Sequence, residues 1–266
     1  MPQKIAVSGK GGVGKTTVAG ILARLLGREN KMVLVIDADP DSNMASALGI
    51  PRKKREGLTP LSQMFDLIEE RTGARPGESF GGMFSLNPKV DDLVDRFGIE
   101  GKDNVKLLVL GTISSGGGGC FCPENSLLKA FMRHVLFEKE QFVIMDMEAG
   151  IEHLGRGTAK HVDMLVVVVE PGMRSIETAQ RIKSLAKDIG VQNIIAVLNK
   201  LSNSEEEELI RRELEKIDIP LAATVPYNRG VVSSDLMGQS PLELRENDDV
   251  VKGINELKAY LFEKEQ

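Results

Sequence analysis

Ile5-Ala6-Val7-Ser8-Gly9-Lys10-Gly11-Gly12-Val13-Gly14-Lys15-Thr16-Thr17 is the stretch on which the fold turns. A short apolar run leads into a loop rich in glycine, and an amphipathic run comes next. Strand, loop and helix start in that order make a cradle for phosphate. Glycines let the chain curl until backbone N–H groups point at phosphate oxygens, an approach that side chains would block. Lys15 then supplies a point charge to the outer phosphates, and the Thr16 hydroxyl is placed to hold Mg2+. A helix opening near Thr16 adds the positive end of its dipole. Gly11, Gly12, Val13, Gly14, Lys15, Thr16 and Thr17 are therefore the expected nucleotide-binding residues.

Outward from this loop, β-branched apolar runs alternate with helix-length amphipathic segments. The runs are 5–7, 32–36, 105–110, 142–145, 164–169, 194–198 and 221–225. Continuous rather than alternating apolarity suits strands buried on both faces of a parallel sheet. Helices are expected at 16–28, 126–138, 175–189, 204–216 and 248–262. The alternation predicts an α/β fold: a doubly wound, mostly parallel sheet of about seven strands flanked by helices, with right-handed crossovers. We read residues 1–266 as a single domain with a helical insertion at about 51–104, where charge, Gly and Pro are richer. Amphipathic patterns near 58–70 and 90–97 place helices inside that insertion. The basic run 52–55 reads as a solvated loop. Glu205, Glu206, Glu207 and Glu208, preceded by Ser202 and Ser204, fit the acidic first turn of a capped helix.

Composition narrows the function classes. Of 266 residues, 41% are hydrophobic and 27% charged, as in ordinary globular domains. A net charge of −5 gives no global drive toward nucleic acid. No run approaches the ~20 apolar residues of a membrane span, and the first residues carry no secretory apolar region. A cytoplasmic protein without nucleic-acid or membrane partners is expected. The two cysteines, Cys120 and Cys122, are too close for an easy disulfide and point to a reducing compartment.

Lys10 is the odd feature of the loop, because two lysines in one small loop repel each other unless an anion lies between them. The pattern Lys-Gly-Gly-x-Gly-Lys-Thr-Thr resembles the deviant Walker A motif of the MinD/ParA/nitrogenase-iron-protein class of P-loop NTPases. That resemblance implies ATP and ADP as ligands and Mg2+-dependent ATP hydrolysis. It also implies a Lys10 that reaches across a homodimer to the partner's nucleotide, as an arginine finger does. It makes Lys10, Lys15 and Asp39 the catalytic set, with Asp39 orienting the attacking water. Asp146, with Thr16 and Asp39, is assigned to Mg2+. Gly150 is placed in a second switch segment to sense the outer phosphate. Asn199, Pro226 and Asn228 resemble the class's adenine contacts.

Cys120-Phe121-Cys122-Pro123 comes after a run of glycines. Two thiolates one residue apart can grip a soft or borderline metal but cannot complete a tetrahedral shell alone. A two-fold dimer would supply four, suiting Zn2+ or Ni2+. Cys-x-Cys-Pro-Glu-Asn-x-Leu-Leu, followed by Asp-Met-Glu-Ala-Gly-Ile-Glu-His-Leu-Gly-Arg-Gly, closely resembles the CooC/AcsF family. That resemblance implies a homodimer whose metal and nucleotide states are coupled and which delivers Ni2+ to carbon monoxide dehydrogenase or acetyl-CoA synthase. An iron–sulfur carrier and a positioning ATPase of the MinD/ParA type are the alternatives. His134, His153 and His161 are read as surface or packing residues.

Overall fold

The computed structural model describes residues 3–39, 43–77, 84–111, 122–138, 141–149, 159–243 and 249–262. The apolar runs form β1 (Lys4–Gly9), β2 (Val33–Asp37), β4 (Val105–Val109), β5 (Phe142–Asp146), β6 (Met164–Val169), β7 (Ile194–Leu201) and β8 (Leu221–Pro226). One further strand, β3 (Ile99–Glu100), precedes β4. The sheet thus has eight strands rather than about seven, in the order β3-β4-β2-β5-β1-β6-β7-β8. β3 pairs antiparallel with β4 at the edge; the other pairings are parallel. With two residues and no apolar run, β3 leaves no periodicity to read in sequence.

Every residue of β1 and β2 is buried, as a strand covered on both sides must be. Alternate residues feed two cores. Ala6, Leu34, Ile36 and Met145 face one, and Ile5, Val7, Val35 and Ile144 face the other. α4 (Phe65–Thr72), α6 (Pro123–Phe137), α7 (Met173–Ile189) and α8 (Ser204–Lys216) cover the first core. The second is covered by α1 (Lys15–Arg28), α2 (Met44–Ala47) and α10 (Asp249–Phe262). Two short helices, α3 (Arg52–Arg55) and α5 (Leu93–Phe97), also lie between β2 and β4, and α9 (Arg229–Leu236) comes after β8.

Local signals explain the helix ends. α7 buries Ile176, Ala179, Ile182 and Ala186 along one stripe. It stops at Gly190, whose φ of 95° lets its N–H turn back to the Ala186 and Lys187 carbonyls. α8 begins as its acidic first turn requires, but the cap is Asn203, which accepts from Glu206 N–H at 2.9 Å. Glu206 returns a bond by accepting from Ser202 N–H at 3.0 Å, the reciprocal arrangement of a capping box.

The run 52–55 departs from its expected loop: it is the helical turn α3, with no residue fully buried. Arg52 pairs with Glu56 one turn on, and Arg55 donates to the Gly238 carbonyl at 3.2 Å. The buried Arg24 of α1 bonds Asp103 at 2.7 Å and Glu243 at 3.1 Å. It thereby ties the turn Pro241–Glu243 to the helix that starts at the phosphate loop. His134 lies 3.4 Å from Glu138, and the His161 ring packs on Phe137 with centroids 3.9 Å apart, both helix-end contacts. His153 lies outside the described residues.

Candidate nucleotide site

Parallel strands deliver the loops at their carboxyl ends to one edge of the sheet. Val7 and Asp37 both stand opposite Asp146, and Gly9 stands opposite Val168. The loop after β1 therefore meets the carboxylates that end β2 and β5. The loop and the residues just beyond those two strand ends line a cleft of about 630 Å³ that includes Gly11, Gly12, Gly14, Lys15, Thr16, Thr17, Asp39 and Glu148. Val13 lies beneath the loop, buried in the second core.

The loop is held by its neighbours. Gly14 has φ 95°, and a Cβ there would come within 2.3 Å of Asn199 Nδ2, so only glycine fits on both counts. Asn199 donates to the Val13 carbonyl at 2.7 Å. Lys200 Nζ donates to the Gly12 carbonyl at 2.6 Å. With their carbonyls taken from outside, the peptides of the loop are held in one orientation. α1 starts at Lys15 with no side-chain cap and no acid in its first turn, so its dipole end is left for an anion.

Around the loop the charges are paired. Lys15, 7% exposed, lies 3.5 Å from Asp39 Oδ2. Lys10, at the rim, lies 3.6 Å from Glu170 Oε1. Asp37 is fully buried and accepts from the N–H groups of Asp39 and Met44 at 3.2 and 3.3 Å. It thus ties down the chain on either side of residues 40–42. Sequence reading placed Asp39 in the site but passed over Asp37, Glu170 and Lys200. The strand-end position of Asp37 was the available signal; the other two become neighbours of the loop only through strand order.

Asp146 is wholly buried, and Thr16 Oγ1 donates to its Oδ2 at 2.6 Å. Its Oδ1 is buried with no hydrogen-bond partner. Burial, with the nearby Asp37 and Asp39 charges, pushes this carboxyl up to about 7 against the pull of Thr16 and Lys15. An orphaned oxygen beside a hydroxyl is a hard-oxygen pair of the kind that Mg2+ takes when substrate phosphates fill the rest of its shell. Thr16 and Asp146 therefore fit Mg2+, while Asp39 is engaged by Lys15. Among the described residues no three His, Cys, Asp or Glu side chains gather as an all-protein metal site.

The remaining expected residues lie apart from the cleft or outside the described residues. Asn228 caps α9, accepting from Gly230 N–H at 2.6 Å, and Pro226 ends β8. Neither lines the cleft, whose far wall is Val231, Val232, Asp235 and Gln239. Cys122 stands half-buried at the N-cap of α6. Cys120 and Gly150 lie outside the described residues. Among the described residues no helix is long and apolar enough to cross a membrane.

Residues 4–242 match the model of the CobQ/CobB/MinD/ParA nucleotide binding domain. The chain is 45% identical over 241 residues to the carbon monoxide dehydrogenase accessory protein CooC of Rhodospirillum rubrum, covering 91% of this chain and 90% of that one. It is 42% identical to an uncharacterized ATP-binding protein of Methanocaldococcus jannaschii, over 97% of each. The crystal structure of a ParA family ATPase from Chlorobium tepidum superposes with a TM-score of 0.69 over 98% of each chain, at 19% identity. Glycine-lined cradle, buried lysine, Thr16–Asp146 pair and matched domain agree: the chain belongs to the CobQ/CobB/MinD/ParA nucleotide-binding family and is a P-loop ATPase that works with Mg2+.

Proposed function

We propose that this chain is an ATP-driven switch in which nucleotide brings two copies together and hydrolysis lets them part. The observation that carries the reading is the division of labour between the two loop lysines. Lys15 is buried against Asp39, while Lys10 stands at the rim with its side chain 41% exposed. An incoming triphosphate competes with Asp39 for Lys15. Once Lys15 turns to the phosphates, the Asp39 carboxylate is released to orient the attacking water. Lys10, whose side chain is 41% exposed, then reaches the nucleotide of a second copy, a role its exposure supports. Thr16 and Asp146 would hold Mg2+, which would supply charge neutralisation at the phosphates.

Two outputs of such a switch have support. The architecture shared with the ParA family ATPase supports a positioning ATPase of the MinD/ParA type. The 45% identity to an accessory protein of carbon monoxide dehydrogenase favours delivery of Ni2+ to a nickel enzyme. In that reading Cys120 and Cys122 from two chains share the ion, with Zn2+ as its competitor at thiolates. The discriminating experiment titrates reduced protein with Ni2+ and Zn2+ in ADP and in a non-hydrolysable ATP analogue. Vesicle and DNA co-sedimentation is run in parallel. One ion per two chains, lost in Cys120→Ala/Cys122→Ala, supports delivery. ATP-dependent co-sedimentation without metal uptake supports positioning, and a brown, iron-rich product supports an iron–sulfur carrier.

A further inference from the structure

Glu170 comes directly after β6, which lies between β1 and β7. Lys10 comes directly after β1, and Lys200 lies near the end of β7. Strand order therefore sets one carboxylate between two lysines beside the phosphate loop. Its oxygens are divided between them: Oε1 lies 3.6 Å from Lys10 Nζ, and Oε2 lies 3.1 Å from Lys200 Nζ. The arrangement is anchored at each end. Glu170 N–H donates to Ser175 Oγ at 3.0 Å, and Lys200 Nζ also donates to the Gly12 carbonyl at 2.6 Å. Lys200 has φ 59°, a left-handed conformation that a non-glycine residue keeps only where its surroundings fix it.

We propose that Glu170 is a positioning residue that tethers Lys10 within its own chain, so that two copies close only when the partner's nucleotide draws Lys10 away. This rests on the cross-subunit reading of Lys10 and adds what that lysine does beforehand. The two ends of the Glu170 bridge differ in kind. Lys200 is bonded to backbone as well as to Glu170, at hydrogen-bond distance. Lys10 is held by a longer contact, with its side chain 41% exposed. An exposed pair of this length is weak, so triphosphate charge outcompetes it. The tether sets a threshold for closure rather than a block. It also offsets the repulsion among Lys10, Lys15 and Lys200 around one small loop.

The test measures the dimer dissociation constant by sedimentation velocity, with Mg2+ and a non-hydrolysable ATP analogue, alongside the ATP affinity of the dilute chain. Glu170→Gln is expected to tighten the dimer about 2- to 30-fold, the span of two weak pairs no longer broken per dimer. Glu170→Asp, which keeps the charge, stays nearer wild type. In a Lys10→Gln background Glu170→Gln changes nothing, because the tether has lost its other end. If Lys10→Gln is defective while Glu170→Gln leaves the constant unchanged, the tether is overturned and the role of Lys10 stands. The same holds if Glu170→Gln shifts the constant equally in both backgrounds. If Lys10→Gln itself dimerises and turns over as wild type, both ideas fall together.

Discussion

Asp37 and Asp146 face each other at the ends of adjacent parallel strands, both wholly buried, and they are used for different things. Asp37 spends its oxygens on the Asp39 and Met44 N–H groups. Asp146 gives one oxygen to Thr16 and keeps the other, Oδ1, unbonded. One acid shapes the segment that carries Asp39, and the other is left able to bind a cation. Asp146→Asn keeps the shape and removes the charge. Steady-state kinetics should show Mg2+-dependent hydrolysis falling by about 10²–10³-fold, the usual loss when one electrostatic stabiliser is removed. Near-normal turnover would move the Mg2+ assignment elsewhere.

The same carboxyl makes stability depend on pH. Its folded-state value of about 7 lies above the ordinary 3.8, so between those limits the folded chain holds a proton that the unfolded chain has lost. Asp146 is therefore tolerated fully below about pH 4, and that stability is lost as pH rises toward 7. Urea unfolding without Mg2+ or nucleotide should show Asp146→Asn gaining on wild type from about pH 4 to about pH 7 and levelling off above. Parallel pH curves for the two proteins would contradict this.

Gly14→Ala meets both a left-handed backbone and the Asn199 amide at 2.3 Å. The substitution should cost about 1–3 kcal/mol and abolish tight nucleotide binding. Thermal denaturation and calorimetric titration check the two effects separately.

Asn199 gives its amide to the Val13 carbonyl, which places it on the phosphate loop. Asn199→Ala strands a buried carbonyl, at about 1–3 kcal/mol, and loosens the loop. ATP, GTP and tripolyphosphate should all bind more weakly by similar factors. A loss confined to ATP would instead return Asn199 to the adenine edge.

The range of each interaction decides how far it is legible in the sequence. The loop 9–17 and the strands 164–169 and 221–225 were legible because glycine content and buried apolar runs are local signals. Asp39 and Asp146 were legible because strand ends of one parallel sheet share an edge. The pairing of Glu170 with Lys10 and Lys200 was not, since 160 and 30 residues separate the partners and only the order β1-β6-β7 unites them. The wall formed by Val231, Val232 and Asp235 was hidden for a similar reason. Asn228, expected at the adenine edge, accepts from Gly230 N–H as the cap of α9, a bond between near neighbours that the sequence leaves open.

Lys10 and Lys15 should separate in function. Lys15→Ala loses ATP affinity, as removal of a buried phosphate-facing cation demands. Lys10→Ala should bind ATP nearly normally in the dilute chain but hydrolyse it about 10²–10³-fold more slowly. Equilibrium binding set against single-turnover rates distinguishes the two.

Nucleotide in this cleft should make two chains one particle. Light scattering of the purified, reduced protein, with Mg2+ and a non-hydrolysable ATP analogue saturating, measures that directly. The mass should double from that of the 266-residue chain and fall back when ADP replaces the analogue. A mass that stays monomeric, with Ni2+ or Zn2+ also present, would leave a P-loop ATPase but no dimerising switch.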